Sequence, residues 1–372
     1  MNRVLGICNL HDTPSLGQLT KNRPLGALSF LSRYGLMDFT LSNFSNSGID
    51  KVAVLAESNY RSVRNHLRDG RIWVNNTKLG FQRILTNENL LSVSKFNTDI
   101  ANILANKNVF YENEPAYVII APVFLLMSYD YNKLVEKHIA SGADVTVLCK
   151  HIDNTDKEFA NCDIVSLDEK GFVKEFSTNS GRRKEVDVSL ESFVINSDVL
   201  LDICNKQKDI SLLYSLRQMI SYLTKNNELT VATDFFDGYV VPILSFEHYV
   251  RHSFELLDYK KRQLLFKEDW PIYTTTHNTP PALYGDHAVV TNSFIANGCV
   301  INGKVKNSIL SRDVVVEEGA VVEDCIIFTH TEIGKNIKLK YVVTDKYSNI
   351  QEVKKIVREK DDILYIGKGE RV

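Results

Sequence analysis

The sequence predicts an α/β protein of two unlike parts. Short apolar runs alternate with amphipathic helical patterns up to about residue 265; a proline-punctuated stretch breaks that texture; and beyond it aliphatic residues recur at every sixth position. Alternating strand and helix implies a mostly parallel, mixed sheet covered on both faces. A six-residue repeat is the mark of a left-handed parallel β-helix. The expected boundaries are 1–265 for the sheet domain, 266–284 for an extended linker and 285–372 for the β-helix.

In chain order, strands are expected at 4–8, 51–56, 116–121 and 144–149, with 162–166, 173–176 and 192–196 extending the sheet. Helices are expected at 36–47, 60–69, 98–105 and 130–140, and one long helix at 245–265 ends the domain. In the first helix Met37, Leu41 and Phe44 share a face, and Gly48 closes it. Pro271, Pro280 and Pro281 then block helix and favour extended chain. In the repeat region Val289, Ile295 and Ile301 hold one phase, and Ile309, Val315, Val321, Ile327, Ile333 and Leu339 hold a second. An antiparallel β domain would alternate with period two instead. About three coils are expected, each needing a neighbour to bury its faces.

The chain has 372 residues, enough for two cores, and ordinary hydrophobic (44%) and charged (24%) contents. A formal net charge of −2 gives no electrostatic reason to expect nucleic acid or a membrane as partner. The apolar run at 117–127 is too short to span a bilayer and contains Pro122. Met1-Asn2-Arg3 leads straight into the first apolar strand, so no leader is expected, and the six cysteines are scattered without a CxxC pair. A cytoplasmic location with reduced, buried thiols is the expectation.

The chemistry turns on residues 9–43. The loop Asn9-Leu10-His11-Asp12-Thr13-Pro14-Ser15 joins the first strand to the first helix, where phosphate-binding loops carry glycines, yet it has none. His11-Asp12 reads as part of a solvated loop, since one adjacent pair fixes no acid/base geometry. The stretch LGQLTKNR followed by RYGLMDFTLSNFSNSGIDKVAVL resembles the N-terminal region of glucose-1-phosphate adenylyltransferase, and most of all its GlgD-type regulatory branch. The resemblance covers nearly the whole chain and implies a nucleotidyltransferase-type, Rossmann-like domain ahead of the β-helix.

It also exposes what is missing. The family's glycines fall at Leu10, His11 and Thr13, and its loop arginine at Ser15. The lysine of R-A-K-P falls at Leu25 and the arginine of Y-R-I-I-D-F at Gly35. The first metal-holding Asp maps to Val123 or Phe124 and the second to Pro242. The sugar-phosphate Glu-Lys pair becomes Thr178-Asn179, and Glu191 replaces a glycine beside the sugar. Phosphoryl transfer depends on positioning and on charge from amides, cations and Mg²⁺. The resemblance therefore implies a chain with no catalytic residues, metal or cofactor, which assembles with a catalytic adenylyltransferase subunit, as a heterotetramer, and modulates it. An anionic effector, a sugar phosphate or nucleotide, is expected at Arg33, with Arg61 and Arg64 as candidate companions. Two alternatives stand beside this reading: an active sugar-phosphate nucleotidyltransferase with rearranged ligands, and a hexapeptide acyltransferase using His330.

Overall fold

The computed structural model describes residues 3–87, 94–155 and 158–372. Its first part is built on a nine-stranded sheet. The Val4–Asn9 strand lies at the centre, parallel to Lys51–Leu55 on one side and to Tyr117–Pro122 on the other. Phe81–Leu85 extends the first side, also in parallel. On the second side Val186–Asn196 pairs antiparallel with Tyr117–Pro122 and then forks. Val145–Ile152 and Asp163–Leu167 both join it antiparallel; Val231–Phe235 completes one branch and Val173–Thr178 the other.

The helices are α1 (Met37–Asn46), α2 (Tyr60–Leu67), α3 (Asp99–Ala105), α4 (Asn108–Asn113), α5 (Tyr131–Ser141), α6 (Ser197–Ile210), α7 (Leu216–Lys225), α8 (Phe246–Glu255) and α9 (Tyr259–Leu265). Strand side chains alternate between faces. Cys8 thus joins Phe44 of α1 and Tyr131 of α5 in one core, while Leu5 and Ile7 join Ile103, Leu200 and Met219 in the other. The single helix expected over 245–265 is two. The chain breaks at Leu256–Asp258, and the Asp258 carboxylate caps α9 by accepting from the Lys261 N–H.

The second part is a parallel β-helix of three five-stranded sheets, so it completes about five turns rather than the expected three. The first turn spans 15 residues, from Val289 to Lys304; later turns span 17, from Lys304 to Val321 and on to Lys338. A turn one residue short of three hexapeptides shifts the phase. Leu310, Val316 and Val322 therefore fill the interior ahead of Ile327, Ile333 and Leu339, while Val315 and Val321 are only partly buried. Ile309 is buried too, but on the outside of the coil, with Ile326, Phe328 and Val343, in one core with Tyr249 and Leu265 of the first part.

The stretch between the two parts is extended but not free. Tyr273 N–H donates to Ser42 Oγ (2.8 Å), Asn46 Nδ2 to the Pro271 carbonyl (2.9 Å), and Thr275 Oγ1 to the His66 carbonyl (2.7 Å). These contacts lay it across α1 and α2 before it enters the first β-helix strand at Leu283–Tyr284.

Candidate functional site

Open α/β sheets take ligands where the strand order reverses. Here that point lies between the ends of Val4–Asn9 and Tyr117–Pro122, and the protein's own side chains fill it. His11 is not solvated, as the sequence suggested, but buried. Its Nδ1 lies 3.1 Å from the Asn97 carbonyl and its Nε2 3.1 Å from Asn102 Nδ2. Burial lowers its pKa to about 4, so the ring is neutral and structural. Asp12 beside it is exposed. Asp99, fully buried, accepts from the Leu216 N–H (2.9 Å) and from Asn9 Nδ2 (3.1 Å); burial still lifts its carboxyl to about 6.

Glu191 closes the opposite wall. It keeps a backbone φ of +50, in the region that favours glycine, so a carboxylate occupies a glycine-like turn. Arg217 Nη1 stands 2.8 Å from Asp163 and 3.8 Å from Glu191. Burial raises Glu191 to about 7, opposed by Arg217 and helped by Asp163. The space left among these groups is about 20 Å³, room for one water.

The segments to which the resemblance assigns metal carboxylates meet, and they meet as an apolar contact. Val241–Pro242 pairs antiparallel with Leu125–Leu126, and Ile243 N–H donates to the Phe124 carbonyl at 2.8 Å. Val123, Phe124 and Pro242 are all buried. Among the described residues no group of three or more His, Cys, Asp or Glu is arranged to hold a metal ion. Leu25 is buried. At Gly35 a Cβ would stand 2.7 Å from the His66 ring, so His66, bonded to Asp38, fills the space a side chain at that position would take. Ser15 is exposed and Thr178 is exposed. Asn179 Nδ2 spends its hydrogen bonds on the Thr155 and Phe159 carbonyls (3.1 and 2.9 Å).

The open, charged site lies elsewhere, between the two parts of the molecule. Arg33 and Arg61 reach one cleft of about 620 Å³, and the β-helix adds Arg312, Lys346 and Lys368 to it. Arg33 projects from a loop whose Leu31 and Ser32 take positive φ, and its carbonyl accepts from Arg312 Nη2 (3.3 Å) and Thr274 Oγ1 (3.3 Å). Arg23 forms the floor. Its Nη2 lies 2.6 Å from both Asp345 oxygens, while its Nη1 is buried with no partner among the described residues. An adjoining pocket of about 470 Å³ shares Arg33, Tyr34, His277 and Arg312 and adds Arg262 and Phe294.

Positive charge is crowded here and only partly offset by Asp38, Asp313 and Asp345. Lys346 is lowered by burial and by Arg23; Arg312 is lowered by burial and by Arg33. His277 falls to about 4 through burial, Arg312 and Arg68. All three cations or cation-formers would be relieved by a bound anion. Arg64 is not part of this cleft; it faces the other side of α2. His330 sits at a β-helix corner, stacked on Tyr347 at 4.9 Å and 3.8 Å from Asp313.

The β-helix contribution escaped the sequence reading because its columns follow the turn, not the hexapeptide. Arg312, Thr329 and Lys346 recur one 17-residue turn apart, as the pairing of Ile326 with Val343 requires. A search for that longer recurrence would have aligned them.

Comparison with known proteins agrees with this architecture. Residues 15–237 match the nucleotidyl transferase family model, and residues 281–362 match a GlmU-like C-terminal hexapeptide model. The chain is 29% identical over 360 residues to glucose-1-phosphate adenylyltransferases of Bacillus anthracis and Bacillus mycoides, and 28% identical to that of Bacillus cytotoxicus, covering 95% of this chain and 95% of each relative. With a matching model over more than half its length and the corresponding sheet and β-helix in place, the chain belongs to the nucleotidyl transferase family.

Proposed function

We propose that this chain is a non-catalytic regulatory subunit: it assembles with a catalytic glucose-1-phosphate adenylyltransferase, as a heterotetramer, and adjusts that enzyme's response to an anionic metabolite held in the cationic cleft. The observation that carries this reading is the contact of Phe124 and Leu125 with Pro242 and Ile243. It closes, with apolar side chains and a backbone hydrogen bond, the place where two carboxylates would hold Mg²⁺. Losing one preorganised electrostatic contact costs roughly 10²–10³ in rate, and here the cations at Leu25 and Gly35 are absent as well. Assembly is supported by the open first turn of the β-helix, which leaves Leu283, Tyr284 and Val289 exposed on an uncapped solenoid. The effector is a sugar phosphate or a nucleotide, because Arg33, Arg61, Arg312, Lys346 and Lys368 line the cleft against one free carboxylate, Asp313.

The test uses the purified chain alone and mixed with a catalytic relative. Alone, with ATP, glucose 1-phosphate and Mg²⁺, it makes no ADP-glucose. Mixed, it yields a heavier species by light scattering with altered effector response. Turnover near the usual ~10 s⁻¹ by the chain alone, or two unmixed species with unchanged kinetics, overturns the reading.

A further inference from the structure

Gly298, Asp313, His330, Tyr347 and Gly369 follow one another along one corner of the β-helix, all at positive φ. Their backbone bonds repeat: the N–H of His330 donates to the Arg312 carbonyl, that of Tyr347 to Thr329 and that of Gly369 to Lys346 (3.1, 3.0 and 3.0 Å). Each side chain leans back over the turn before it. Asp313 covers Gly298, where a Cβ would stand 2.0 Å from Asp313 Oδ1; His330 Nδ1 lies 3.8 Å from Asp313 Oδ2; and the Tyr347 ring stacks on His330 at 4.9 Å and 16°. That separation is one rung of paired strands, about 4.8 Å. The next rung is bare. Gly369 brings no side chain to lie over Tyr347, a Cβ there would meet nothing within 4 Å, and Tyr347 is 55% exposed. Tyr347 lines the interdomain cleft, and so does the neighbouring column of Arg312, Thr329, Lys346 and Lys368.

We propose that this bare rung is a base-stacking site: the base of a nucleoside phosphate lies on the open face of Tyr347, over Gly369, and its phosphate is held by Lys346 and Lys368, each one residue before these corners. Such a site presupposes the anion cleft of the proposed function and narrows its occupant to a nucleotide. Flat rings already stack along this column at the spacing of the rungs, so the vacancy suits another flat ring. Stacking on an aromatic face is favourable for any base. A sugar ring is puckered and carries hydroxyls on both faces, so it fills the rung less well. Nearby carboxylates leave the place free. Glu370, next to Gly369, is turned onto the Gly367 N–H (2.6 Å), and Asp313 lies beyond His330 on the far side of the stack.

Calorimetry on the full chain compares adenosine monophosphate with ribose 5-phosphate, which has the same phosphate but no base. The nucleotide should bind about tenfold more tightly. Tyr347→Ala should remove that advantage and leave ribose 5-phosphate binding unchanged. Gly369→His should do the same by covering Tyr347 with a ring of the protein's own. Asp313, His330 and Tyr347 all hold side chains at positive φ on this corner, so that variant should fold. Glucose 6-phosphate controls for stacking of a sugar: a loss on Tyr347→Ala as large as the nucleotide's overturns the assignment to a base. Equal binding of nucleotide and ribose 5-phosphate, or a nucleotide advantage that survives both substitutions, overturns the stack and leaves the anion cleft standing. If neither phosphate binds, the cleft fails as an anion site and the stack fails with it.

Discussion

Glu191 shows most plainly how one side chain changes the chemistry of an inherited turn. The backbone keeps a conformation suited to glycine, but the added carboxylate lies against Asp163 and Arg217 and is held protonated up to about pH 7 by burial. A carboxyl raised in the folded state favours folding while protonated; that advantage is fully present below its ordinary value near 4.5 and is lost as pH rises through about 7. Glu191→Gln should therefore match the natural chain at pH 5 and be more stable at pH 8, by about 1–2 kcal/mol. Thermal melts of both chains at the two pH values measure it, and parallel pH profiles would exclude the idea. The apolar character of Val123, Phe124 and Pro242 was legible in the residues themselves; that the two segments meet in one short antiparallel ladder was not. Burial of His11 was not legible: it depends on Asn97 and Asn102, residues some ninety positions away that only the fold brings near.

At the scale of elements, most of the strong periodicity was readable, while two edge strands and several helices were not. The Phe81–Leu85 and Val231–Phe235 strands lie at sheet edges and carry Gln82-Arg83 and Thr233-Asp234 in mid-strand, which hides the apolar signal. Helices α6 and α7 were missed although Ser215 and Gln218 form a capping box at the start of α7, a cue present in the sequence itself. The joint between the two parts was also hidden, because Arg23 and Asp345 lie at opposite ends of the chain. Their ion pair is almost fully buried, and Tyr365 adds a 2.8 Å hydrogen bond to the same carboxylate. Arg23→Met leaves that carboxylate without its cation and should cost about 3–5 kcal/mol. The double change Arg23→Met with Asp345→Leu should recover much of the loss, because a buried pair replaced by apolar groups of similar volume is often close to neutral. Denaturant melts of the three variants decide this; equal losses in the single and double variants would show that the pair contributes through something other than charge.

Across the whole molecule, side chains fill the crevice at the sheet's switch point while the cleft between the two parts is open, so the two places should respond differently to substitution. On the regulatory reading, introducing one carboxylate, Pro242→Asp or Val123→Asp, supplies neither the cations nor a glycine loop. Residues that act as a unit are strongly non-additive, so neither change should produce measurable ADP-glucose in a coupled assay. The cleft is the sensitive place. Arg312 reaches from the β-helix to the Arg33 carbonyl and the Thr275 carbonyl, and it presses charge on His277, so it reads both walls at once. Arg312→Ala removes a donor that an anion would share with Arg33, and loss of one charge-assisted contact typically weakens binding about tenfold. The exposed end of the first β-helix turn is untouched, so assembly should persist. With one catalytic partner, the mixed complex carrying Arg312→Ala should therefore form at the same mass but need about tenfold more effector for half-maximal response. Arg33→Ala should act in the same direction, and Arg64→Ala should leave the curve in place. Titrating activity against fructose 1,6-bisphosphate, AMP, phosphate and phosphoenolpyruvate, with all four chains beside the same partner, reads the outcome. Superimposable curves for Arg312→Ala and the natural chain with every effector would reduce the cleft to a structural seam between two domains.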